Sequence, residues 1–459
     1  MAKKKMTLEE KLEEAIVKEA PYEVPENWIW SKLDSISILV TGNTPSKKNI
    51  EYYGESVPFI KPNDLDQGRR LKSSIEMLSS LGAEKARILP KGSTAVCCIG
   101  SIGKTAYLEV EGATNQQINS IIPQKVNNLY IYYYVLSEYF QRELVSNSSA
   151  TTIAIINKSK MGELAVPIPP LKEQQRIVDK IESLFKKLDK AKELIEEARE
   201  KFEKRKASIT SKIFRGKLNI RKGSVTLDKE LAIEGYFEIP DNWIWVKLKN
   251  VCKKITDGTH KSPKSYEDGK YKYITAKNIK EWGIDLSNIT YLMKEDHDII
   301  YNRCDVKYGD ILYIKDGATT GIATINNLDE EFSLLSSVAV LRVSNNLINR
   351  YLYYLLNSYE IKKIILDSVK GVAITRLTLK KIKEIMIPLP PIDEQRKIVE
   401  ILDRLLEEEA KIEELTKLEN QIELIKKSIL VKAFRGELGT NCEEDENALE
   451  LLKEILSKQ

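Results

Sequence analysis

The chain contains the segment Pro167-Ile-Pro-Pro-Leu-Lys-Glu-Gln-Gln-Arg-Ile-Val178 and repeats it 221 residues later as Pro388-Leu-Pro-Pro-Ile-Asp-Glu-Gln-Arg-Lys-Ile-Val399. Three further landmarks recur in the same order: Pro25-Glu-Asn-Trp-Ile-Trp30 as Pro240-Asp-Asn-Trp-Ile-Trp245, Tyr130-Ile-Tyr-Tyr133 as Tyr351-Leu-Tyr-Tyr354, and Phe214-Arg-Gly216 as Phe434-Arg-Gly436. A period of this length is too long for a solenoid. The 459 residues are therefore a duplication, and each copy should contain a complete domain.

Long helices are predicted after each proline pair, where the sequence loses its Gly- and Asn-rich turns. The stretches Leu171 to Arg215 and Ile392 to Arg435 contain neither Gly nor Pro, begin after prolines and stop at a glycine. Apolar residues recur at the spacing of a coiled-coil seam, at Ile177, Ile181, Leu184, Leu188, Ala191, Ile195, Ala198 and Phe202, and at Ile398, Ile401, Leu405, Ile412, Leu415, Leu418, Ile422, Ile425 and Ile429. We expect the two helices to pair with each other; an ordinary helical bundle is the alternative.

These patterns predict an α+β fold, with two α/β domains related by pseudo-two-fold symmetry and separated by two long antiparallel coiled-coil helices. The tyrosine-rich landmarks should pack in the core, because Ile, Leu and Val surround them. The predicted boundaries are 1–20 for an N-terminal helix, 21–170 for the first α/β domain, 171–216 for the first spacer helix, 217–391 for a linker and the second α/β domain, 392–436 for the second spacer helix, and 437–459 for a C-terminal tail helix.

Composition excludes several classes of protein. The chain carries 72 Lys and Arg against 68 Asp and Glu, a net charge of +4, so any nucleic-acid-binding surface must be local. The absence of a long apolar run and of a signal peptide predicts a cytoplasmic protein with no membrane contact. Five cysteines without a C-x-x-C pair and only two histidines support neither a disulfide framework nor a zinc site.

Catalytic signatures are also missing from the sequence. Gly103-Lys104-Thr105 looks like the end of a phosphate loop, but Cys98 stands where that loop begins with glycine. No two glycines are separated by a single residue, which removes the dinucleotide fingerprint. The sequence therefore favours a binding protein without catalytic residues, metal or cofactor of its own. A methyltransferase with a diverged motif and a protein-binding coiled-coil scaffold remain as alternatives.

Two diverged domains on a rigid spacer suit DNA best as a target, because a duplex presents two sequence sites at a fixed separation. Polar turns can contact base edges and phosphates together, although ordinary surface loops have the same composition. Candidate DNA-binding residues in the first copy are Thr41, Asn43, Thr44, Lys47, Lys48, Lys61, Asn63, Ser101, Lys104, Asn115, Gln116 and Gln117. Those in the second copy are Thr256, Thr259, Lys261, Lys277, Asn278, Lys315, Thr319, Thr320 and Arg376. The basic stretch from Lys201 to Lys222 either follows phosphates or forms a solvated helix face.

The repeated proline segment, the long helix after it and the closing Phe-Arg-Gly together resemble type I restriction-modification specificity subunits. The resemblance covers nearly the whole chain and implies that each α/β domain is a target recognition domain that reads one half of a bipartite sequence in double-stranded DNA. It further implies that the helices dock two methyltransferase subunits, with restriction and motor subunits joining through the complex. S-adenosylmethionine, ATP and Mg are expected on those partners. The positions that match the family signature, and that we predict to bind a partner, are Glu173, Gln174, Glu394 and Gln395.

Overall fold

The computed structural model describes residues 6–66, 69–149, 153–217, 233–367 and 376–458. The chain forms two compact units, the first made of Met1–Ile195 with Thr416–Gln459 and the second of Glu196–Leu415. Each long helix contributes one part to each unit. No helix in the described ranges is long and apolar enough to cross a membrane.

The first copy begins with a capped helix, in which Thr7 and Glu10 form a capping box. Its elements are α1 (Leu8–Ala15), β1 (Ile29–Lys32), α2 (Leu33–Ile36), β2 (Ser37–Thr41), β3 (Tyr53–Ile60), β4 (Arg69–Leu71), β5 (Glu76–Leu78), α3 (Ser80–Lys85), β6 (Ile88–Leu89), β7 (Thr94–Cys97), β8 (Thr105–Leu108), β9 (Gly112–Thr114), β10 (Ile118–Pro123), α4 (Asn128–Val135), α5 (Glu138–Ser146), α6 (Lys158–Gly162), β11 (Ala165–Ile168) and α7 (Leu171–Phe214).

The second copy follows a similar order from its first strand onward and is followed by a short C-terminal helix. Its elements are β12 (Ile244–Lys247), α8 (Leu248–Val251), β13 (Cys252–Asp257), β14 (Tyr271–Ile274), β15 (Ile279–Lys280), β16 (Gly283–Ile284), β17 (Thr290–Leu292), α9 (Lys294–Arg303), β18 (Ile311–Ile314), β19 (Ala323–Ile325), β20 (Ser333–Leu334), β21 (Val338–Val343), α10 (Asn349–Asn357), α11 (Tyr359–Asp367), α12 (Leu379–Glu384), β22 (Met386–Leu389), α13 (Ile392–Phe434) and α14 (Ala448–Ser457).

The sheets of the two units share one topology. The strand order β2-β10-β7-β8 in the first unit corresponds to β13-β21-β18-β19 in the second, and β5-β3-β9 corresponds to β17-β14-β20. In both units the second sheet contains one parallel pair, β3 with β9 and β14 with β20. A separate antiparallel pair, β1 with β11 and β12 with β22, precedes each long helix. The landmarks therefore mark a duplication of the central strands of the fold, whereas β4 and β6 extend the sheets of the first unit and β15 with β16 forms a separate pair in the second.

Both long helices begin where the prolines predict, at Leu171 and Ile392. The glycines beyond their ends, Gly216 and Gly436, have φ values of 62° and 74°, the left-handed conformation that glycine adopts without strain. A β-carbon at Gly216 would lie 2.2 Å from the ring of Pro240 in the second unit. The equivalent atom at Gly436 would lie 2.4 Å from Pro25 in the first. Each helix end thus packs against a Pro-x-Asn-Trp-Ile-Trp landmark.

Within the first unit the helices run antiparallel. Arg176, near the start of α7, donates to the carbonyl of Thr440, whereas Asp189, further along α7, pairs with Lys426 at 2.7 Å. In the second unit the helices are joined by the ion pairs of Arg205 with Glu408 and of Lys206 with Glu409. The predicted pairing of the two helices is confirmed within each unit.

The predicted seam is correct along α7 but wrong at two positions of α13. Leu418 and Ile425 are 41% and 45% exposed. The heptad repeat that includes Leu415, Ile422 and Ile429 has its alternate positions at Glu419 and Lys426. The side chains of these two residues are partly buried. The predicted apolar residues Leu418 and Ile425 each stand one position earlier, about 100° around the helix from the contact.

Candidate nucleic-acid interface

The repeated landmarks meet at the start of each long helix, in an arrangement that we call the helix-entry cluster. In the first unit the indole Nε1 of Trp28 donates to Oε2 of Glu173 at 2.8 Å. In the second, Nε1 of Trp243 donates to Oε2 of Glu394 at the same distance. Burial raises the pKa of Glu173, although its hydrogen bonds to Trp28, Asn441 and Thr440 oppose the rise.

The next glutamine and a tyrosine complete each cluster. Gln174 accepts from the backbone N–H of Asn127 at 2.8 Å, and Gln395 accepts from that of Ile348 at 2.8 Å. Tyr130 donates to the carbonyl of Pro167, and its counterpart Tyr351 donates to that of Pro388. Both tyrosines are fully buried, which confirms their predicted core position.

These contacts correct the predicted role of the four signature residues. Glu173, Gln174 and Gln395 have no exposed surface and Glu394 is 4% exposed. A buried side chain cannot contact a partner subunit directly. Each of these four side chains also forms a hydrogen bond within its own unit. Their observed role is to fix the first turn of a long helix against the α/β domain.

The candidate loops of the first unit gather beyond the ends of β2 and β9, in a surface that we call the first loop surface: residues 41–48, 87, 98–104 and 115–117. Thr44 donates to Gln116 at 2.6 Å, and Thr41 donates to Asn119 at 2.7 Å. A β-carbon at Gly42 would lie 2.2 Å from two backbone carbonyls, so glycine is required for this approach. The backbone N–H of Cys98 donates to the carbonyl of Gln117, which joins the 98–104 loop to the other two.

Most of the predicted residues of this surface are accessible to solvent, and one is buried. Thr44, Lys47, Lys48, Ser101 and Gln116 are exposed, and Thr41, Asn43, Lys104 and Gln117 are partly exposed. The prediction that Asn115 contacts DNA is corrected, because its side chain is 6% exposed and donates to Gln117 at 2.9 Å.

Two predicted residues lie beside this surface, and one basic residue that was not predicted belongs to it. Lys61 and Asn63 belong to the turn that follows β3; Asn63 is exposed, whereas Lys61 forms an ion pair with Glu76 at 2.6 Å. Arg87, which the sequence patterns did not indicate, is exposed and donates to the carbonyl of Thr41 at 2.7 Å. Arg87 comes from a segment with no counterpart among the landmarks, so the repeat gave no signal for it.

The second loop surface comprises residues 256–261, 303, 315–321, 335–337 and 376. At its centre, the carboxylate of Asp257 lies 3.3 Å from Nζ of Lys315, and both side chains are 2% exposed. Arg303 donates to the same carboxylate at 2.9 Å, and His260 lies 3.4 Å from it. Asp257 precedes Gly258 as Thr41 precedes Gly42, so an alignment of the two copies could have identified it.

The buried ion pair corrects a further prediction. Lys315 was expected to contact DNA, but its ammonium group is enclosed and faces a carboxylate, which a buried charge requires. Thr320 and Asn278 are each 6% exposed and bond to Gly317 and Asp285, so their side chains are also unavailable. Thr320 and Asn278 point inward, where each donates a hydrogen bond to a backbone carbonyl.

The other predicted residues of the second copy remain at the surface. Lys261, Lys277, Thr319 and Arg376 are exposed, and Thr256 and Thr259 are partly exposed. Arg376 forms an ion pair with Asp316 at 3.2 Å, which fixes its position beside the 315–321 loop.

The basic stretch from Lys201 to Lys222 is largely paired within the helices. Lys201 and Lys204 bond to glutamates one turn earlier on α7, and Arg205 and Lys206 bond to α13. Its last residues, 218–222, lie outside the described residues. The described part therefore fits a solvated helix face better than a phosphate-binding one. No group of three potential metal ligands occurs in the described ranges.

Comparison with known proteins identifies the family. A sequence model described as the type I restriction modification DNA specificity domain matches residues 25–200 and 240–424, one match for each copy. The chain belongs to this family. DNA recognition is accordingly its role, and neither a scaffold nor a diverged methyltransferase is favoured.

Relatives of this DNA-specificity chain match along most of its length. It is 24% identical over 424 residues to the type I restriction enzyme EcoBI specificity subunit of Escherichia coli, covering 90% of this chain and 87% of that protein. It is 26% identical over 434 residues to the MjaIX specificity subunit of Methanocaldococcus jannaschii, covering 90% and 94%. The fold matches the HsdS subunit from Thermoanaerobacter tengcongensis with a TM-score of 0.60 at 20% identity, over 92% of this chain and 100% of that one.

Proposed function

We propose that each unit reads one half of a bipartite DNA sequence through its loop surface, and that the paired helices set the number of base pairs between the halves. The observation that carries the proposal is that the two loop surfaces occupy the same strand ends of one repeated topology but present different side chains. The exposed side chains include the neutral Thr44 and Gln116 in one unit and the basic Lys261 and Arg303 in the other, so the two surfaces suit two different base sequences.

Exchange of one domain tests this proposal. Replacing residues 25–170 with the matching segment of another family member should change one half of the recognised sequence completely and leave the other unchanged. Residues 240–391 should control the other half. The measurement is methylation mapping in a cell that carries the chain with its partner subunits, and exchange of the helices alone, which should preserve both halves, is the control. A single domain exchange that altered both halves would refute the division.

We propose further that the chain itself catalyses nothing and needs no cofactor of its own, and that it works in a complex. Two methyltransferase subunits would bring S-adenosylmethionine, and motor subunits would bring ATP and Mg. A solved chain of the same fold, with a TM-score of 0.62 and 21% identity over 91% of this chain and 100% of that one, comes from work on assembly of the type I restriction-modification system, which supports this view.

Apolar side chains on α13 within the first unit are the candidate docking surface. Leu418, Leu424 and Ile425 are 41%, 63% and 45% exposed on one stretch of helix, more apolar surface than a solvated helix needs. Ile425→Lys should weaken assembly with a methyltransferase subunit at least tenfold, measured by native mass spectrometry. Glu423→Lys, at an exposed acidic position nearby, is the matched control. Unchanged assembly of Ile425→Lys would exclude this surface.

A further inference from the structure

One tryptophan differs from the other four in its exposure. Trp28 and Trp243 of the helix-entry clusters, and Trp30 and Trp245 of β1 and β12, are between 4% and 6% exposed, whereas Trp282 is 75% exposed. It lies at the tip of the hairpin formed by β15 and β16, in the second unit. Exposure of so large an apolar ring to water is unfavourable, and its burial against a binding partner would recover that free energy.

The hairpin that carries Trp282 is firmly held. Asn278 and Asp285 close its base through two hydrogen bonds, of 2.7 Å between backbone groups and 3.1 Å from the Asn278 side chain. Ile279 and Ile284 on its strands are buried in the core of the unit. Near the tip, Tyr353 of α10 donates to the carbonyl of Glu281 at 2.9 Å. The ring is therefore presented on a fixed frame, which reduces the entropy lost on binding.

The hairpin is continuous with the second loop surface. The backbone N–H of Ala276, just before its base, donates to Ser337 of that surface at 3.3 Å. Lys362 of α11 joins the tip to the same surface, because its Nζ lies 3.5 Å from Glu281. The Cγ atom of Lys362 would lie 3.4 Å from a β-carbon on Gly321.

The charges around the ring suit DNA. Lys277 is exposed beside the hairpin and Lys280 is partly exposed on it. Of the two acidic residues of the hairpin, Glu281 at the tip is paired with Lys362 and Asp285 at the base interacts with Lys280, which leaves Lys277 as the unneutralised charge among these residues. A basic frame around an aromatic ring is the combination that nucleic-acid-binding surfaces use to hold phosphates and bases together. The corresponding stretch of the first copy, Leu65 to Leu71, contains no aromatic residue.

We propose that Trp282 packs its indole ring against a base of double-stranded DNA beside the half-site read by the second unit. The inference rests on the proposed function, because it extends the second loop surface. Apolar side chains inserted at a base step partly unstack it and bend the duplex, and an indole on a rigid hairpin has the shape for this. The contact would stabilise binding without depending on charge.

Affinity measurements on the assembled complex test the contact. Trp282→Ala should weaken binding to the cognate duplex about 5- to 100-fold, and Trp282→Phe should retain most of the affinity because a ring remains. The dependence of affinity on salt should be the same in Trp282→Ala and wild type, whereas Lys277→Ala should lower its slope by about one. Tyr308→Ala is the matched control, since Tyr308 is 67% exposed and lies in the turn before β18, at the opposite end of that strand from the 315–321 loop.

Fluorescence gives a second, direct measurement. The difference between the emission of the wild-type complex and that of the Trp282→Phe complex isolates Trp282 from every other tryptophan. Addition of the cognate duplex should quench this difference signal and protect it from iodide, because a base stacks on the ring. Protection that appears on addition of partner subunits before DNA would instead show that a protein covers the ring and would overturn the proposal.

The outcomes separate this inference from the function on which it rests. If wild type binds its duplex specifically and Trp282→Ala binds equally well, the Trp282 contact is refuted and the role of the loop surfaces stands. If the wild-type complex does not distinguish the mapped sequence from a scrambled duplex, the proposed function itself fails.

Discussion

The helix-entry clusters and the loop surfaces differ in how closely the two units agree. At the helix entries, the bonds from Trp28 to Glu173 and from Trp243 to Glu394 have the same length, and so do the backbone bonds to Gln174 and Gln395. At the loop surfaces, Thr41 in the first unit stands where Asp257 stands in the second, and their partners differ completely. The repeated residues therefore build the frame, and the differing residues occupy the surfaces that we propose to contact DNA.

The largest effect should come from the buried charge at the loop surface of the second unit. Asp257→Ala removes the carboxylate that faces the buried ammonium group of Lys315. This substitution should destabilise the second unit by about 3–5 kcal/mol. Thr41→Ala at the matching position breaks a neutral hydrogen bond and should destabilise the first unit by about 1 kcal/mol. Peptide-resolved hydrogen exchange measures the two units separately. Equal effects would show that the two loop surfaces are held together in the same way.

The helix entries should respond alike, with an intermediate effect. Glu173→Ala and Glu394→Ala each leave a buried indole N–H without its acceptor, and each should destabilise its unit by about 1–3 kcal/mol, measured by chemical denaturation. The first substitution should also increase hydrogen exchange in α14, because Glu173 accepts from Thr440 and Asn441 of the segment before that helix. Substitution by Gln, which keeps an acceptor oxygen, should restore most of the loss. No change in α14 would indicate that the tail is held independently.

The smallest expected effect is a dependence of stability on pH, which should occur in the second unit and not in the first. Both histidines of the chain lie in the second copy. Burial lowers the pKa of His297, which stacks on Tyr271 and faces Ser333, against opposing effects of Glu331 and Asp298. Because the folded pKa lies below the unfolded value of about 6.5, the unfolded chain binds the proton first as the pH falls. The second unit should therefore lose stability below about pH 6.5, by at most about 1.4 kcal/mol per pH unit.

Comparison of wild type with His297→Phe measures this dependence, because phenylalanine keeps a ring in the stack and cannot titrate. Hydrogen exchange in the second unit should become less sensitive to pH between about 5.5 and 7.5 in the variant. The first unit, which has no histidine, is the internal control. A pH dependence that persists unchanged in His297→Phe would assign it to other groups.

The sequence alone determined the duplication, the fold class and the extent of both long helices, because these depend on local signals. Proline before a helix, glycine after it and a spacing of three and four apolar residues act over one or two turns. The family resemblance rested on the same segments. The candidate turns of each copy meet at one surface, and their contact with DNA stays a prediction.

The tertiary structure decided which side chains those turns and helices expose. Lys315 is buried because Asp257, 58 residues earlier in the chain, supplies its counter-charge. Glu173 is internal because Trp28, 145 residues earlier, donates to it. The direction in which a polar side chain points depends on partners brought together by folding, and no local pattern contains that information.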